Sequence, residues 1–215
     1  MKAIATESRW PPAVCVLVVL VLAGLTPNRY HAFPTWVPFG AAALFAVALA
    51  IGAAFGSDAR WRRLERGAMI VVAIIALAAN CVNLFVVVRA LVFTPDRVHA
   101  VELLATSVMI WVSNVVIFAI LYWDLDRGGP GARARSEQTY PDFAFPQASD
   151  PNLSPPGWQP GFVDYLFLGF TGATAFSPTD ALPLTPRAKV LMMAQGLISL
   201  VALVVVAARA INIVQ

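Results

Sequence analysis

The stretch "AVELLATSVMIWVSNVVIFAILYW", residues 100–123, is apolar along its whole length and carries a single charge, Glu102. A membrane-spanning α-helix needs about 20 predominantly apolar residues to cross a hydrocarbon core of roughly 30 Å. Four more runs of this character flank the stretch, at residues 11–27, 36–56, 68–92 and 188–213. The pattern predicts an all-α fold, a multi-pass transmembrane helical bundle with five spans.

The composition agrees with a membrane protein. Of the 215 residues, 59% are hydrophobic and 13% are charged, with a mean hydropathy of +0.73, whereas soluble domains carry about 25% charged residues. The basic residues fall in short clusters between apolar runs, which favours the lipid bilayer over nucleic acid as the partner. Cys15 and Cys81 lie inside apolar runs, so no disulfide or redox pair is expected.

Four regions follow along the chain. We expect an N-terminal cytoplasmic tail (1–10), a four-helix transmembrane region (11–124), a proline-rich polar loop or linker (125–160), and a half-helix with the last transmembrane helix (161–215). The first apolar run is also short enough to be a signal peptide, although no A-x-A-like cleavage site follows it.

The distribution of Lys and Arg predicts the orientation, because cytoplasmic loops near spans collect positive charge. With five spans and a cytoplasmic N-terminus, eleven basic residues are cytoplasmic and four lie on the other side. The cluster "RWRRLER", residues 60–66, contributes four of the eleven. The expected location is therefore the inner (plasma) membrane of a cell, with the N-terminus in the cytoplasm.

The apolar segment "GFVDYLFLGFTGATAF", residues 161–176, is shorter than the five runs. Its 16 residues reach only about 24 Å as a helix, which is short of a comfortable crossing. We interpret it as a re-entrant half-helix. A sixth, short span is the alternative, and it changes the charge distribution only to ten against five, so charge leaves both arrangements open.

Neutral polar side chains inside the apolar runs are candidates for function, because polar groups are costly within a membrane. They fall on the third, fourth and last runs and are Asn80, Asn83, Asn114, Gln195 and Ser199. One hypothesis is that they line a hydrated path. The other is that they form hydrogen bonds between helices, each worth roughly 0.6 to 2 kcal/mol.

No catalytic, cofactor or metal site is predicted. Asp124 and Asp126 form a D-x-D pair of the kind that holds a divalent cation in some soluble enzymes, but no glycine-rich phosphate cradle accompanies it. Charges that cap the end of a span explain the pair better. His31 and His99 lack Cys, Glu or Asp at ligand spacing, and no hydrolase motif is present, so an enzyme is not expected.

From Phe170 onward the sequence resembles the pore-loop and inner-helix unit of bacterial two-transmembrane potassium-type channels. The likeness rests on "TGATAFSPTDALPLTP", residues 171–186, and on the following helix with Ser199 at the hinge position. Asp180 and "PLTP" match the flanks of that family's loop. In its centre, Ser177-Pro178-Thr179 replace the Gly-Tyr-Gly of the potassium filter.

The resemblance implies a homo-oligomer whose candidate pore-lining residues are Thr174, Ser177, Thr179 and Asp180. Potassium filters depend on glycines that aim successive carbonyls at the pore axis. Pro178 fixes its own φ near −65°, and Ser177 and Thr179 resist left-handed conformations. Conduction of ions or small solutes without potassium selectivity is therefore the predicted function, and a non-conducting membrane scaffold or partner subunit is the alternative.

The second half of the chain also resembles a family of bacterial multi-pass membrane proteins. The shared patterns are "YWDLDRGGP" (122–130), "DFAFPQ" (142–147) and "DYLFLGFTGATAFSPTD" (164–180). This family has no established activity, so the likeness supports the membrane fold alone.

Overall fold

A computed structural model describes residues 10–27, 34, 36–43, 59–93, 100–134, 140–150, 152–175 and 181–214. Within these ranges the chain is almost entirely helical, which confirms the all-α prediction. Residues 36–43 are helical, and the rest of the second apolar run lies outside the described residues. The other elements are α1 (Trp10–Leu25), α2 (Ala59–Phe93), α3 (Ala100–Leu125), a 3-10 turn (Asp126–Gly128), α4 (Pro130–Ala134), β1 (Phe143–Ala144), α5 (Pro146–Ser149), α6 (Phe162–Thr174), β2 (Leu182–Pro183) and α7 (Pro186–Val214).

Three stretches of helix are long and apolar enough to cross a membrane: Arg66–Phe93, Val101–Gly128 and Pro186–Ala208. They correspond to the third, fourth and fifth apolar runs of the sequence. Helix α1 is apolar but shorter, at 16 residues. The structure is thus compatible with membrane insertion, while the number of spans stays a prediction.

Helix α3 lies at the centre of the bundle and packs against α1, α2, α6 and α7. Its second half is buried continuously from Val115 to Ile120, and the rings of Tyr122 and Trp123 follow with at most 1% of their surface exposed. A helix that is apolar around its whole circumference is covered either by protein or by lipid. Helices α2 and α7 are at least as apolar as α3 but are mostly uncovered by protein, so apolar character alone does not decide the central place of α3.

Helices α2 and α7 both run antiparallel to α3. Helix α7 runs antiparallel to α3, because Tyr122 contacts Gln195 and the earlier Asn114 contacts the later Ser199. Helix α2 also begins where α3 ends, since Arg66 contacts Asp124. We call this common end of the bundle the Asp126 end.

The chain leaves α3 through a tight left-handed turn. Arg127, Gly128 and Gly129 have φ of 51°, 73° and 87°, conformations that glycine adopts at little cost. An added Cβ on Gly129 would also collide with the Arg66 guanidinium and the Asp124 carbonyl. Glycine at position 129 is thus required both by the backbone and by the space around it.

The proline-rich loop is ordered in its described part. Its strand β1 pairs antiparallel with β2, with Phe143 opposite Pro183 and Ala144 opposite Leu182. Phe145 continues into the core, where it packs edge-on against Tyr165 at 5.4 Å between ring centroids. This part of the polar region belongs to the folded body and is more than a linker.

Candidate functional site

Between the proline-rich loop and α7, the chain forms α6, and both α6 and α7 begin at the Asp126 end of the bundle. Tyr165, in the first turn of α6, donates a hydrogen bond to Asp126 Oδ2 at 2.7 Å. Near the other end of α6, Trp111 Nε1 donates to the Ala173 carbonyl at 3.4 Å, so α6 runs antiparallel to α3. The chain then reaches β2, which pairs with β1 beside the start of α6 and α7. The start of α6 and the start of α7 therefore both lie at the Asp126 end.

A buried carboxylate fixes the return of this segment. Asp142 has no exposed surface and accepts two hydrogen bonds from Arg187, Nε to Oδ1 and Nη2 to Oδ2, both at 2.7 Å. Thr185 Oγ1 donates to the same Oδ1 at 2.5 Å, and the Leu184 amide donates to the Asp142 carbonyl. A bidentate Arg–carboxylate pair is strong and geometrically specific. It joins the proline-rich loop to the first turn of α7.

The ionised form of Asp142 is favoured in this environment. Burial by itself raises the pKa of Asp142, but the hydrogen bonds from Arg187 and Thr185 and the positive charge of Arg187 outweigh it. The net effect holds the pKa of this carboxyl below its ordinary value of 3.8. The pair is consequently charged at neutral pH.

Asp126 organises the turn beside this pair. Its Oδ1 accepts the Asp142 amide at 2.7 Å and the Phe143 amide at 3.3 Å, while Oδ2 accepts the Tyr165 hydroxyl. The side chain has no exposed surface. Arg133 lies next to it and donates to the carbonyl of Trp123 in the last turn of α3, at 2.9 Å, and to that of Asp126 in the following turn, at 2.7 Å.

The two carboxylates of the D-x-D pair have different partners. Asp124 contacts Arg66 Nε at 2.5 Å from the start of α2, whereas Asp126 turns toward α6 and β1. Both are engaged by hydrogen-bond donors at or just beyond the C-terminal end of α3. Among the described residues, no group of three or more His, Cys, Asp or Glu side chains could hold a metal ion.

Gln195 links α7 to both α3 and α6. Its Nε2 donates to the Gly169 carbonyl at 2.6 Å, and its Oε1 accepts the Tyr122 hydroxyl at 2.5 Å. The side chain is completely buried. Gly169 in turn lies so close to α3 that an added Cβ would come within 2.9 Å of the Val115 carbonyl oxygen. Helix α6 is thus held against two long helices at its middle.

The other predicted intramembrane polar residues also make bonds between helices. Asn114 Nδ2 donates to Ser199 Oγ at 2.7 Å and to the Gln195 carbonyl at 3.3 Å. Asn80 Nδ2 donates to the Ile110 carbonyl at 3.2 Å. Asn83 is buried on the same face of α2 as Asn80. Within one copy of the chain, these groups tie helices together more than they line a path.

The predicted pore-lining residues are only partly described. Thr174 is exposed at the end of α6, and its hydroxyl donates to the Phe170 carbonyl of its own helix at 2.9 Å. Ser177, Thr179 and Asp180 lie outside the described residues. Their role in a pore stays a prediction.

Sequence reasoning did not identify Asp142, Thr185 or Tyr165 as members of one cluster. Each belongs to a quoted motif, "DFAFPQ", "PLTP" or "DYLFLGF", but the motifs lie far apart in the chain. One signal in the sequence was Asp142 itself, which lies between two prolines in the aromatic segment "DFAFPQ". An aspartate that is buried in such a segment needs a hydrogen-bond donor, and Arg187 supplies it. No protein-family model, curated protein or solved structure matches this chain.

Proposed function

We propose that the chain is a multi-pass protein of the inner membrane in which residues 161–186 form a re-entrant loop. Copies of it associate so that their loops surround a path for ions or small solutes, without potassium selectivity. The observation that carries the proposal is the shared location of the start of α6 and the start of α7 at the Asp126 end. A segment that enters and leaves on one side is the geometry of a pore loop.

The length of α6 supports the re-entrant arrangement over a sixth span. Its 13 residues cover about 20 Å, two thirds of a hydrocarbon core of roughly 30 Å. Its first turn is fixed by Asp164, whose Oδ2 accepts the Gly161 amide at 2.7 Å. Non-helical backbone at membrane depth is tolerated only where protein buries it or water reaches it. A chain reversal beyond Thr174 therefore needs neighbouring protein or a hydrated space.

Charge supports a cytoplasmic Asp126 end. The described basic residues at this end are Arg60, Arg62, Arg63, Arg66, Arg127, Arg133, Arg187 and Lys189. Arg89 and Arg209 lie toward the other ends of α2 and α7. Because cytoplasmic flanks of spans collect Lys and Arg, the loop enters from the cytoplasm in this arrangement. The channels that the sequence resembles admit their pore loop from outside, so the likeness is one of shape.

An assembly is proposed because Asn114, Tyr122 and Gln195 of a single copy are engaged in hydrogen bonds between its helices. A path is then expected between copies. Helix α7 exposes an apolar row with alternating spacing of three and four residues, and this row is suited to helix packing: Val190, Met193, Leu197, Leu200 and Val204.

Conduction is tested with the purified full-length protein in planar bilayers. We expect currents carried by more than one cation, and a changed conductance in Asp180→Asn. The matched control is Asp150→Asn, which alters an exposed loop whose carboxylate accepts bonds from Asn152. Absence of current under all ionic conditions, with the protein folded and oligomeric, would reject the conducting function.

The second candidate is a non-conducting scaffold or partner subunit. The observation that favours it is the set of polar bonds within one copy, centred on Gln195, which rigidify the α6–α7 unit without requiring any flux. This alternative predicts that Asp180→Asn alters assembly of the protein. It also predicts that neither the parent protein nor the variant carries a current. Accessibility of Thr179→Cys to a membrane-impermeant thiol reagent from each side of the membrane adds an independent measurement of where the loop faces.

A further inference from the structure

A cavity of about 220 Å³ lies between α1, α2, α3 and the helical segment 36–43. Most of its wall is aliphatic, with Leu20, Val72 and Ala79 among the lining residues. Ile75 lines it and is also 57% exposed, so the cavity opens beside that face of α2. It is separate from the α6–α7 unit and from the cluster around Asp142.

Two polar groups on this wall have no partner among the described residues. Asn80 uses its Nδ2 to donate to the Ile110 carbonyl, which leaves its Oδ1 as a free acceptor. Ser113 makes no hydrogen bond with the described part of the chain. Each residue is only 6% exposed. Because a carbonyl can only accept, the bond to Ile110 also fixes which end of the Asn80 amide faces the cavity.

The two groups belong to the same part of the cavity wall. Asn80 binds the carbonyl of Ile110, and Ser113 follows Ile110 by three residues, one turn along α3. Both residues line the cavity, so it offers a ligand hydroxyl the Asn80 carbonyl oxygen as an acceptor and the Ser113 hydroxyl as a donor.

Water alone is a poor occupant of such a space. At roughly 30 Å³ per molecule, about seven waters would be needed to fill it, and each requires two to four polar partners. The aliphatic wall does not supply that number. A smaller apolar cavity of about 150 Å³ in another protein stays dry and binds benzene. The chemistry here calls for an apolar body with one polar atom.

We propose that this cavity binds an aliphatic alcohol, with the hydroxyl between Asn80 and Ser113 and the chain along α1 and α2. The hydroxyl donates its hydrogen to Asn80 Oδ1 and accepts the hydrogen of the Ser113 hydroxyl. A volume of about 220 Å³ accommodates a chain of about eight carbons. The alcohol is either a small free molecule or the hydroxyl-bearing part of a membrane lipid.

The test uses the full-length protein in lipid nanodiscs and a diazirine-bearing analogue of 1-octanol as a photolabel. We expect saturable labelling on peptides that contain Ser113 or Asn80, protected by excess 1-octanol and not by n-octane. Ser113→Ala should weaken protection by 1-octanol about five- to tenfold, the effect of losing one hydrogen bond. Labelling that does not saturate, or equal protection by n-octane, would overturn the proposal.

A filled cavity provides the matched comparison. Ala79→Phe places a ring in the cavity and should abolish specific labelling, whereas Val82→Phe, on the same helix at a position 46% exposed and outside the cavity, should leave it unchanged. Where Ala79→Phe does not fold, Ala41→Phe fills the cavity from segment 36–43. Labelling that persists in a folded filled variant would contradict the proposal.

A second competitor separates the two sources of alcohol. Protection by 1-monooleoylglycerol as well as by 1-octanol identifies a membrane lipid, whose chain leaves through the opening beside Ile75. Protection by 1-octanol alone identifies a small free alcohol. Protection by neither competitor would show that the cavity does not bind this class.

Discussion

The Gln195 side chain on α7 donates a hydrogen bond to the main-chain oxygen of Gly169 on α6, at 2.6 Å. The same amide accepts a bond from Tyr122 on α3. One side chain therefore joins the short helix to two long ones, in the middle of the bundle. The position of α6 depends on this residue as well as on the polar cluster at the Asp126 end.

Gln195→Leu should destabilise the protein by about 1–3 kcal/mol, because it removes two bonds between helices and leaves the Tyr122 hydroxyl buried without a partner. Reversible unfolding in mixed micelles, followed by circular dichroism, measures the change. Met193→Leu, on the exposed side of the same helix, is the control and should have little effect. Equal stability of Gln195→Leu and the parent protein would contradict the role of the amide.

Gly169→Ala should separate α6 from α3, because the new methyl would lie 2.9 Å from the Val115 carbonyl oxygen, which belongs to a rigid backbone. Overpacking of this kind costs about 1–3 kcal/mol. Gly196→Ala is the control, since nothing lies within 4 Å of its added Cβ. We expect that control to be neutral or slightly stabilising in the same unfolding measurement. If Gly169→Ala left the free energy of unfolding unchanged, α6 and α3 would be less tightly packed than the structure shows.

The ion pair of Asp142 and Arg187 predicts a loss of stability in acid. The folded-state pKa of Asp142 is below its ordinary value of 3.8, so the contribution of the pair is complete above that value. It is lost as the pH falls through the lower, folded-state pKa. The difference in unfolding free energy between the parent protein and Asp142→Asn should be constant from about pH 7 to 5 and shrink below about pH 4.

A matched pair of measurements checks that assignment. Asp150→Asn, in the exposed loop, should give a difference from the parent that is small at every pH. A difference for Asp142→Asn that stayed constant down to about pH 2 would show that the carboxylate does not titrate with the fold.

The two aspartates of the D-x-D pair should differ in importance. Asp126→Ala leaves the Tyr165 hydroxyl and two backbone amides buried without an acceptor, so we expect a cost of about 3 kcal/mol or more. Asp124→Ala frees Arg66, whose side chain is 36% exposed and can reach solvent, so about 1 kcal/mol or less is expected. Thermal unfolding of both variants measures whether Asp126→Ala destabilises the protein more than Asp124→Ala. Equal, large losses would instead suit a site that needs both carboxylates.

Much of the helical framework was accessible from sequence because it follows from apolar run length alone. The runs at 68–92, 100–123 and 188–213 correspond to α2, α3 and α7, which extend beyond the predicted bounds. The predicted short segment 161–176 corresponds to α6. Local composition is sufficient for these elements, since a helix of each length satisfies its own backbone.

The polar cluster could not be derived in the same way. Asp142, Thr185 and Arg187 come together only when β1 pairs with β2, and two-residue strands carry no periodicity that a sequence can display. The exposed or buried state of Arg133 likewise depends on the left-handed turn that follows Asp126. Pairings between distant segments decide this part of the fold, and a single sequence does not reveal them.

The contact between Asp142 and Arg187 joins residues that lie 45 positions apart in the chain. During synthesis, Asp142 is made well before Arg187. The free-energy cost of burying its carboxylate is therefore offset only once the start of α7 has been made. The polar cluster and the contact of α6 with α7 can therefore be completed only after Arg187 and Gln195 have been made. A chain that ends just before Pro186 lacks Arg187 and leaves the Asp142 carboxylate without its ion pair.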